Sequence, residues 1–349
     1  MVVLMAMLLS ALTNVTTPAA TAQVSTQLPV ELEAGHFFAI PATRNGQTLR
    51  LIVDTGGGGT AGLYWITTQS ARRLGLTPRT CGEGGNAIQV VDIPAFAQHK
   101  GLPDPLSSGR CGKVVMVIND QPDMELDGMI GGTYLLGHVW TFDYPHQHIT
   151  VQGADWQPDR NAHATSVAFQ RDANGRQTNG FARITMTVDG QPFDVLLDTG
   201  ATAHPTAAGE KISHTPVVNG YGVTSYITTS MLDRWHKAHP DWTVVAKGDD
   251  VGGAARASRI IEVPKVTIDG WSTGPVWFTE QPDYAFHNYM ASMMDKPTEG
   301  TVGGNILEHF VMTIDYPHAT VYLRCANDCD VSTSQSMGAA DSKAVALKP

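Results

Sequence analysis

Short apolar runs dominate the chain, and they are broken so often by Asn-Gly, Asp-Gly, Gly and Pro that the pattern predicts strands and tight hairpins. The turn pairs Asn45-Gly46, Asp189-Gly190 and Asp269-Gly270 each join two such runs. Ile260 to Ile268, the Asp269-Gly270 turn and a second run to Thr279 read as one β-hairpin, with Pro264 near an edge. Helical spacing is best at 67–74 and 229–238. The predicted class is therefore mainly β.

The pattern also repeats. Asn45-Gly46-Gln47-Thr48-Leu49-Arg50-Leu51-Ile52-Val53-Asp54-Thr55-Gly56 returns 144 residues later as Asp189-Gly190-Gln191-Pro192-Phe193-Asp194-Val195-Leu196-Leu197-Asp198-Thr199-Gly200. Farther on, 130–146 matches 302–318 at nine of 17 positions, including the turns Asp143-Tyr144-Pro145-His146 and Asp315-Tyr316-Pro317-His318. Between these anchors Trp65-Ile66-Thr67-Thr68 pairs with Tyr226-Ile227-Thr228-Thr229. The offset grows from 144 to 172, so the second copy carries an insertion, chiefly from about Ala203 to Thr224. Duplication of this kind fixes a two-lobed architecture before any element is assigned.

Composition narrows the partners. At 349 residues the chain can fill two cores, and 42% hydrophobic against 16% charged residues is a globular balance. A net charge of -10, with no Lys/Arg run, argues against nucleic acid. The apolar start followed by Ala20-Thr21-Ala22 predicts a cleaved signal peptide over 1–22 and export to the periplasm or beyond, with no membrane association after cleavage. Four cysteines allow three pairings. Their spacing favours two local bridges, Cys81 with Cys111 and Cys325 with Cys329. Residues 330–349 are rich in Ser, Ala and Asp and are expected to be a disordered tail.

The duplicated carboxylates carry the chemistry. Asp54 and Asp198 each end an apolar strand, where a lone charge would be desolvated and would need partners. Gly56 and Gly200 permit a tight loop, and Thr55 and Thr199 can bond backbone across a twofold axis. Two such loops meeting on that axis would set the carboxyl groups side by side. Such a pair cannot comfortably ionise twice, so it shares one proton and supplies a base and an acid together. That pair can activate water against an amide without a metal, an organic cofactor or a covalent intermediate.

These motifs resemble the aspartic peptidase clan, with lobes more similar to retropepsins than to pepsin. The two Asp-Thr-Gly triplets match the clan's catalytic motif, and Ile130-Gly131 and Val302-Gly303 match its later apolar-apolar-Gly element. The resemblance implies an all-β fold of two homologous acid-protease-like β-barrel lobes, at 35–152 and 165–325, with a central cleft. It further implies an endopeptidase with Asp54 and Asp198 as catalytic residues, and Thr55, Gly56, Thr199 and Gly200 as loop-positioning ones. Both catalytic lobes lie in one chain, so a monomer is expected, with a peptide or unfolded protein as substrate and no cofactor. Gly84-Gly85 and Gly252-Gly253 are assigned as flap tips by position and glycine content.

The chain departs from pepsin after each triplet, where Gly57 and Ala201 replace hydroxyl residues and Gly58 stands opposite Thr202. Fewer donors leave the charged pair less stabilised, which predicts a mildly acidic optimum. The same loss favours an alternative, a non-proteolytic peptide- or protein-binding protein on this fold. Gly57 to Gly62 formally fits a dinucleotide fingerprint, but its partner copy lacks the glycines and no β-α-β alternation follows. His146-Gln147-His148 has no companion at His318, so no metal site is assigned.

Overall fold

The computed structural model describes residues 24–120 and 125–332. The expected signal peptide, and all but the first residues of the expected tail, lie outside them. Strands are the main regular structure of the described chain, and helices are few and short.

Each copy of the repeat builds one lobe. In the first, a single eight-stranded sheet runs in the order Val30–Glu33, His36–Ala39, Leu51–Asp54, Gly128–Gly131, Tyr64–Thr67, Val114–Ile118, Ile88–Asp92, Arg79–Cys81. The Asp54 strand lies parallel to Gly128–Gly131, with Asp54 opposite Gly131. In the second lobe the same set divides. Thr301–Val302, Gln191–Leu197, Arg183–Val188, Val266–Ile268, Trp271–Thr273 and Cys329–Val331 form one sheet. Ser225–Thr228, Val276–Gln281, Ser258–Val263 and Val244–Asp249 form another.

The division has a local cause. The run expected as one hairpin from Ile260 to Thr279 is broken at Pro264 and again at Pro275, neither of which has an N–H for a ladder. Its outer halves stay together as Ser258–Val263 with Val276–Gln281, while its tip joins the sheet that carries Asp198. The last strand, Cys329–Val331, pairs with Trp271–Thr273, so regular structure continues two residues into the segment expected as tail.

A further sheet joins the lobes. Its order is Thr26–Gln27, His148–Val151, Val139–Asp143, Phe310–Asp315, Thr320–Cys325, His163–Ser166. Val139–Asp143 and Phe310–Asp315 are equivalent strands of the repeat, and they pair antiparallel with Thr141 opposite Thr313. The two hydroxyls meet at 2.8 Å, which sets the pseudo-twofold axis through this pair. Alternation along these strands sends Trp140, Phe142, Met312 and Ile314 into one hydrophobic core continuous across both lobes.

Both predicted helices form, at Thr68–Arg73 and Thr229–Ala238. The first is capped by the Thr67 hydroxyl, which accepts from the Ser70 amide. The second buries Met231, Leu232 and Trp235 on one face. The disulfides Cys81–Cys111 and Cys325–Cys329 are the two local bridges expected from the spacing. No helix among the described residues is long and apolar enough to cross a membrane.

Candidate active site

Two strands deliver the carboxylates to the lobe boundary. Leu51–Asp54 ends in the first Asp-Thr-Gly turn, and Gln191–Leu197 ends one residue before Asp198. Each strand is fully surrounded where it ends, with Leu51, Ile52, Val53, Val195, Leu196 and Leu197 all buried. The Asp198 amide is bonded to the Val302 carbonyl at 3.0 Å, so the later Gly element braces this loop from behind. Gly131 does the same for the first copy, and a Cβ there would overlap Gly57 and Gly58 backbone.

The threonines lock the two turns together. The Thr55 hydroxyl donates to the Leu197 carbonyl and the Thr199 hydroxyl to the Val53 carbonyl, both at 2.7 Å. Each hydroxyl in turn accepts from the other threonine's amide at 3.1 Å. All four groups are buried, so this reciprocal set ties the lobes at their centre without a wasted donor.

The grip brings the carboxylates together. A Cβ on Gly56 would lie 2.6 Å from the Asp198 Cγ, and one on Gly200 would overlap the Asp54 carboxyl. Each aspartate therefore occupies the space that the opposite triplet's glycine leaves open. The two carboxyl groups are thereby set close to one another, and only 6% of Asp54 and 8% of Asp198 is exposed. Burial pushes the Asp198 carboxyl well above the usual range, and the charge of the neighbouring Asp54 adds to the rise. Burial raises Asp54 as well, opposed by the neighbouring Asp198 carboxyl and by the Gly56 and Gly57 amides. The titration belongs to the pair.

Backbone amides are the donors that reach these carboxylates: Gly56 N to Asp54 at 2.8 Å, and Gly200 N to Asp198 at 3.1 Å. The Thr202 hydroxyl, which stands where Gly58 does in the first copy, donates instead to the Gly200 carbonyl at 2.8 Å. Two residues that the sequence did not single out hold this second loop. The Tyr226 hydroxyl donates to the Thr202 carbonyl at 2.5 Å and accepts from the Thr202 amide at 3.1 Å. His36, from the other lobe, lies 3.2 Å from the Thr202 hydroxyl. The signal for Tyr226 was its place opposite Trp65 in the repeat; for His36 there was none.

The glycines assigned as flap tips do sit on hairpin ends. Gly84 and Gly85 open a turn between Arg79–Cys81 and Ile88–Asp92, and Gly252 and Gly253 precede one between Val244–Asp249 and Ser258–Val263. All four are exposed, or nearly so, and a Cβ on Gly84, Gly85 or Gly253 would meet nothing within 4 Å. They are brought together neither with the dyad nor with one another. In the paired Asp-Tyr-Pro-His turns, Asp143 bonds the amide and ring of His146, and Asp315 those of His318. These carboxylates close hairpin corners, away from the dyad. No cluster of three or more metal-ligating side chains occurs among the described residues.

The ladder order, the central pair of threonines and the facing Asp-Thr-Gly loops define a bilobal, mainly β fold built from a duplicated unit. Among solved structures, the chain is similar to the aspartic proteinase from Irpex lacteus, at 9% identity and a TM-score of 0.45, over 87% of this chain and 98% of that one. No family model matches the sequence, and no curated protein is similar to it.

Proposed function

We propose that the chain is an exported aspartic endopeptidase. The observation that carries this reading is the pair of buried carboxylates of Asp54 and Asp198, each seated against the opposite triplet's glycine and held by the reciprocal Thr55 and Thr199 grip. A pair that retains one proton into mildly acidic conditions has a base and an acid on adjacent oxygens. The ionised carboxylate takes a proton from a bound water, whose oxygen attacks the scissile carbonyl carbon. The protonated carboxylate donates to the carbonyl oxygen, so the attack yields a neutral tetrahedral diol. Collapse of the diol breaks the C–N bond as the amine takes a proton from the pair. The cleft between the lobes would bind an extended peptide through backbone hydrogen bonds. Gly84-Gly85 and Gly252-Gly253, as hairpin tips, are the segments able to close over it. Two disulfides support a location outside the cytoplasm.

Digestion of a denatured protein from about pH 3 to 7 tests the reading. Asp54→Asn and Asp198→Asn should each lower cleavage by about 10^3-fold or more while leaving the circular dichroism spectrum unchanged. A second reading, peptide capture without cleavage, is favoured by the backbone-only donors at the carboxylates. It prevails if the folded wild type cuts nothing at any pH yet retains peptides.

A further inference from the structure

The two catalytic loops are related by the pseudo-twofold axis, but one hydrogen bond crosses the lobe boundary on one side alone. His36 is on the first-lobe strand His36–Ala39 and is 3% exposed. Its Nε2 lies 3.2 Å from the hydroxyl of Thr202, four residues beyond Asp198 in the other lobe. That hydroxyl spends its single proton on the Gly200 carbonyl at 2.8 Å, so it accepts from His36, which fixes the Nε2–H tautomer. The Gly200 and Ala201 carbonyls act on the ring too, in the sense that favours its protonated form. Next to it, Gly35 is pressed against Val223, at the end of the insertion carried by the second copy.

Among the described residues the opposite side has no such hydrogen bond; there Gly180 and the Phe181 ring close on Gly132 instead. Ile52 and Leu196 correspond in the repeat, and they pair with Phe38 and Arg183. Two residues back along those strands stand His36 and Phe181. The counterpart of Thr202 is Gly58. A polar pair on one side of the axis thus faces an apolar ring and a glycine on the other. A buried hydrogen-bonding pair at a place the fold can fill without one needs a reason.

We propose that His36 is a positioning residue for the Asp198 loop, holding Thr202 across the lobe boundary and so aligning one of the two carboxylates. The proposal rests on the peptidase reading for its kinetic consequences. His36 shares its enclosure with Arg50, Glu33, Glu125 and Tyr221, and the Arg50 guanidinium lies over the neighbouring Phe38 ring. Burial, with a contribution from Arg50, pushes the imidazole down to about 4, so it stays neutral through the mildly acidic range. Protonation below that puts a second cation beside Arg50 and strains the contact with the loop. His36 therefore adds its own ionisation to the acid limb of the rate profile.

Three variants test this. His36→Phe copies the other lobe's ring, Thr202→Val removes the acceptor at constant shape, and His36→Gln keeps an N–H donor that does not titrate. His36→Phe and Thr202→Val should each lower kcat by about tenfold with KM nearly unchanged, and the double variant should be little worse than either. His36→Gln should recover most of kcat and lose the ionisation near pH 4 from the acid limb. Wild-type kcat in His36→Phe, or an acid limb unchanged in His36→Gln, overturns the proposal. If the wild type cleaves nothing, the peptidase reading fails separately, and thermal unfolding decides whether the latch exists. A His with a lowered value contributes stability that is lost as pH falls from about 6.5 toward about 4. The Tm advantage of wild type over His36→Gln should then shrink across that interval, and a constant gap refutes the latch.

Discussion

Behind Asp54 the chain runs Gly57-Gly58-Gly59 and is held by close backbone contact. Gly58 takes a φ of +96°, and a Cβ there would lie 2.6 Å from the Gly131 Cα. The Gly57 carbonyl accepts from the Gly132 amide at 3.1 Å, and the Gly59 carbonyl accepts from the Thr133 hydroxyl at 2.9 Å. Behind Asp198 the chain runs Ala201-Thr202-Ala203, and side chains do the bracing, with Tyr226 on the Thr202 backbone and His36 on its hydroxyl. The triplets and the grip are symmetric; what stands behind them is not. One motif can thus be fixed either by removing side chains until backbones touch or by adding side chains that reach across.

Exchanging the residues that embody this contrast should have the largest effect. Gly58→Thr puts a β-branched residue at a positive φ with its Cβ inside the Gly131 backbone, and should cost more than about 3 kcal/mol in urea unfolding. Thr202→Gly removes two side-chain hydrogen bonds without any clash and should cost about 1–2 kcal/mol. Similar costs for the two would mean that the first loop relaxes as easily as the second, and the contrast would be lost.

Much of this site was legible in the sequence because repetition is a strong signal. The Asp-Thr-Gly triplets, the later Gly elements and the growing offset implied two lobes, a central dyad and a threonine grip, and Thr141 opposite Thr313 follows from the same register. The bracing was not legible. His36 acts on a residue 166 positions away, and it belongs to no motif. Its ladder counterpart is Phe181, one place off the 144-residue offset, because the hairpins before the two catalytic strands differ by a residue in pairing. The divided second lobe was hidden for another reason. Alternation marks a strand but not its partner, and the breaks at Pro264 and Pro275 send one run into two sheets.

A middle-sized effect tests the symmetric part. Thr55→Val leaves the Leu197 carbonyl buried without its donor, and Thr199→Val does the same to the Val53 carbonyl. Each also deprives the other threonine's amide of its acceptor. The two losses are chemically identical, so each variant should cost about 2 kcal/mol, and the two costs should agree within about 0.5 kcal/mol. A gap larger than about 1 kcal/mol in chemical denaturation would show that the bracing behind the loops changes the strength of the grip itself.

The smallest effect concerns the charge that the two loops confine. A carboxyl whose folded value is raised binds its proton more tightly in the folded state than in the unfolded one. Its contribution is therefore fully present below the unfolded value of about 3.9, and is lost as pH rises toward the folded value. Both aspartates are raised, Asp198 the more, so at neutral pH the fold carries the cost of an ionised pair. Asp198→Asn removes a charge from that pair, and should raise Tm at pH 7 on the order of 2 °C. At pH 3 the gain should disappear, because the wild-type pair is already largely protonated. Asp54→Asn should give a comparable rise, since two backbone amides face each carboxylate, Gly56 and Gly57 at Asp54 and Gly200 and Ala201 at Asp198. Equal rises in the two variants would place the burden on the pair as a whole, and the asymmetry would then stop at the loops. A fall in Tm at pH 7 would mean that the ionised pair is stabilised beyond what the backbone amides supply, which the donors at Asp54 and Asp198 do not account for.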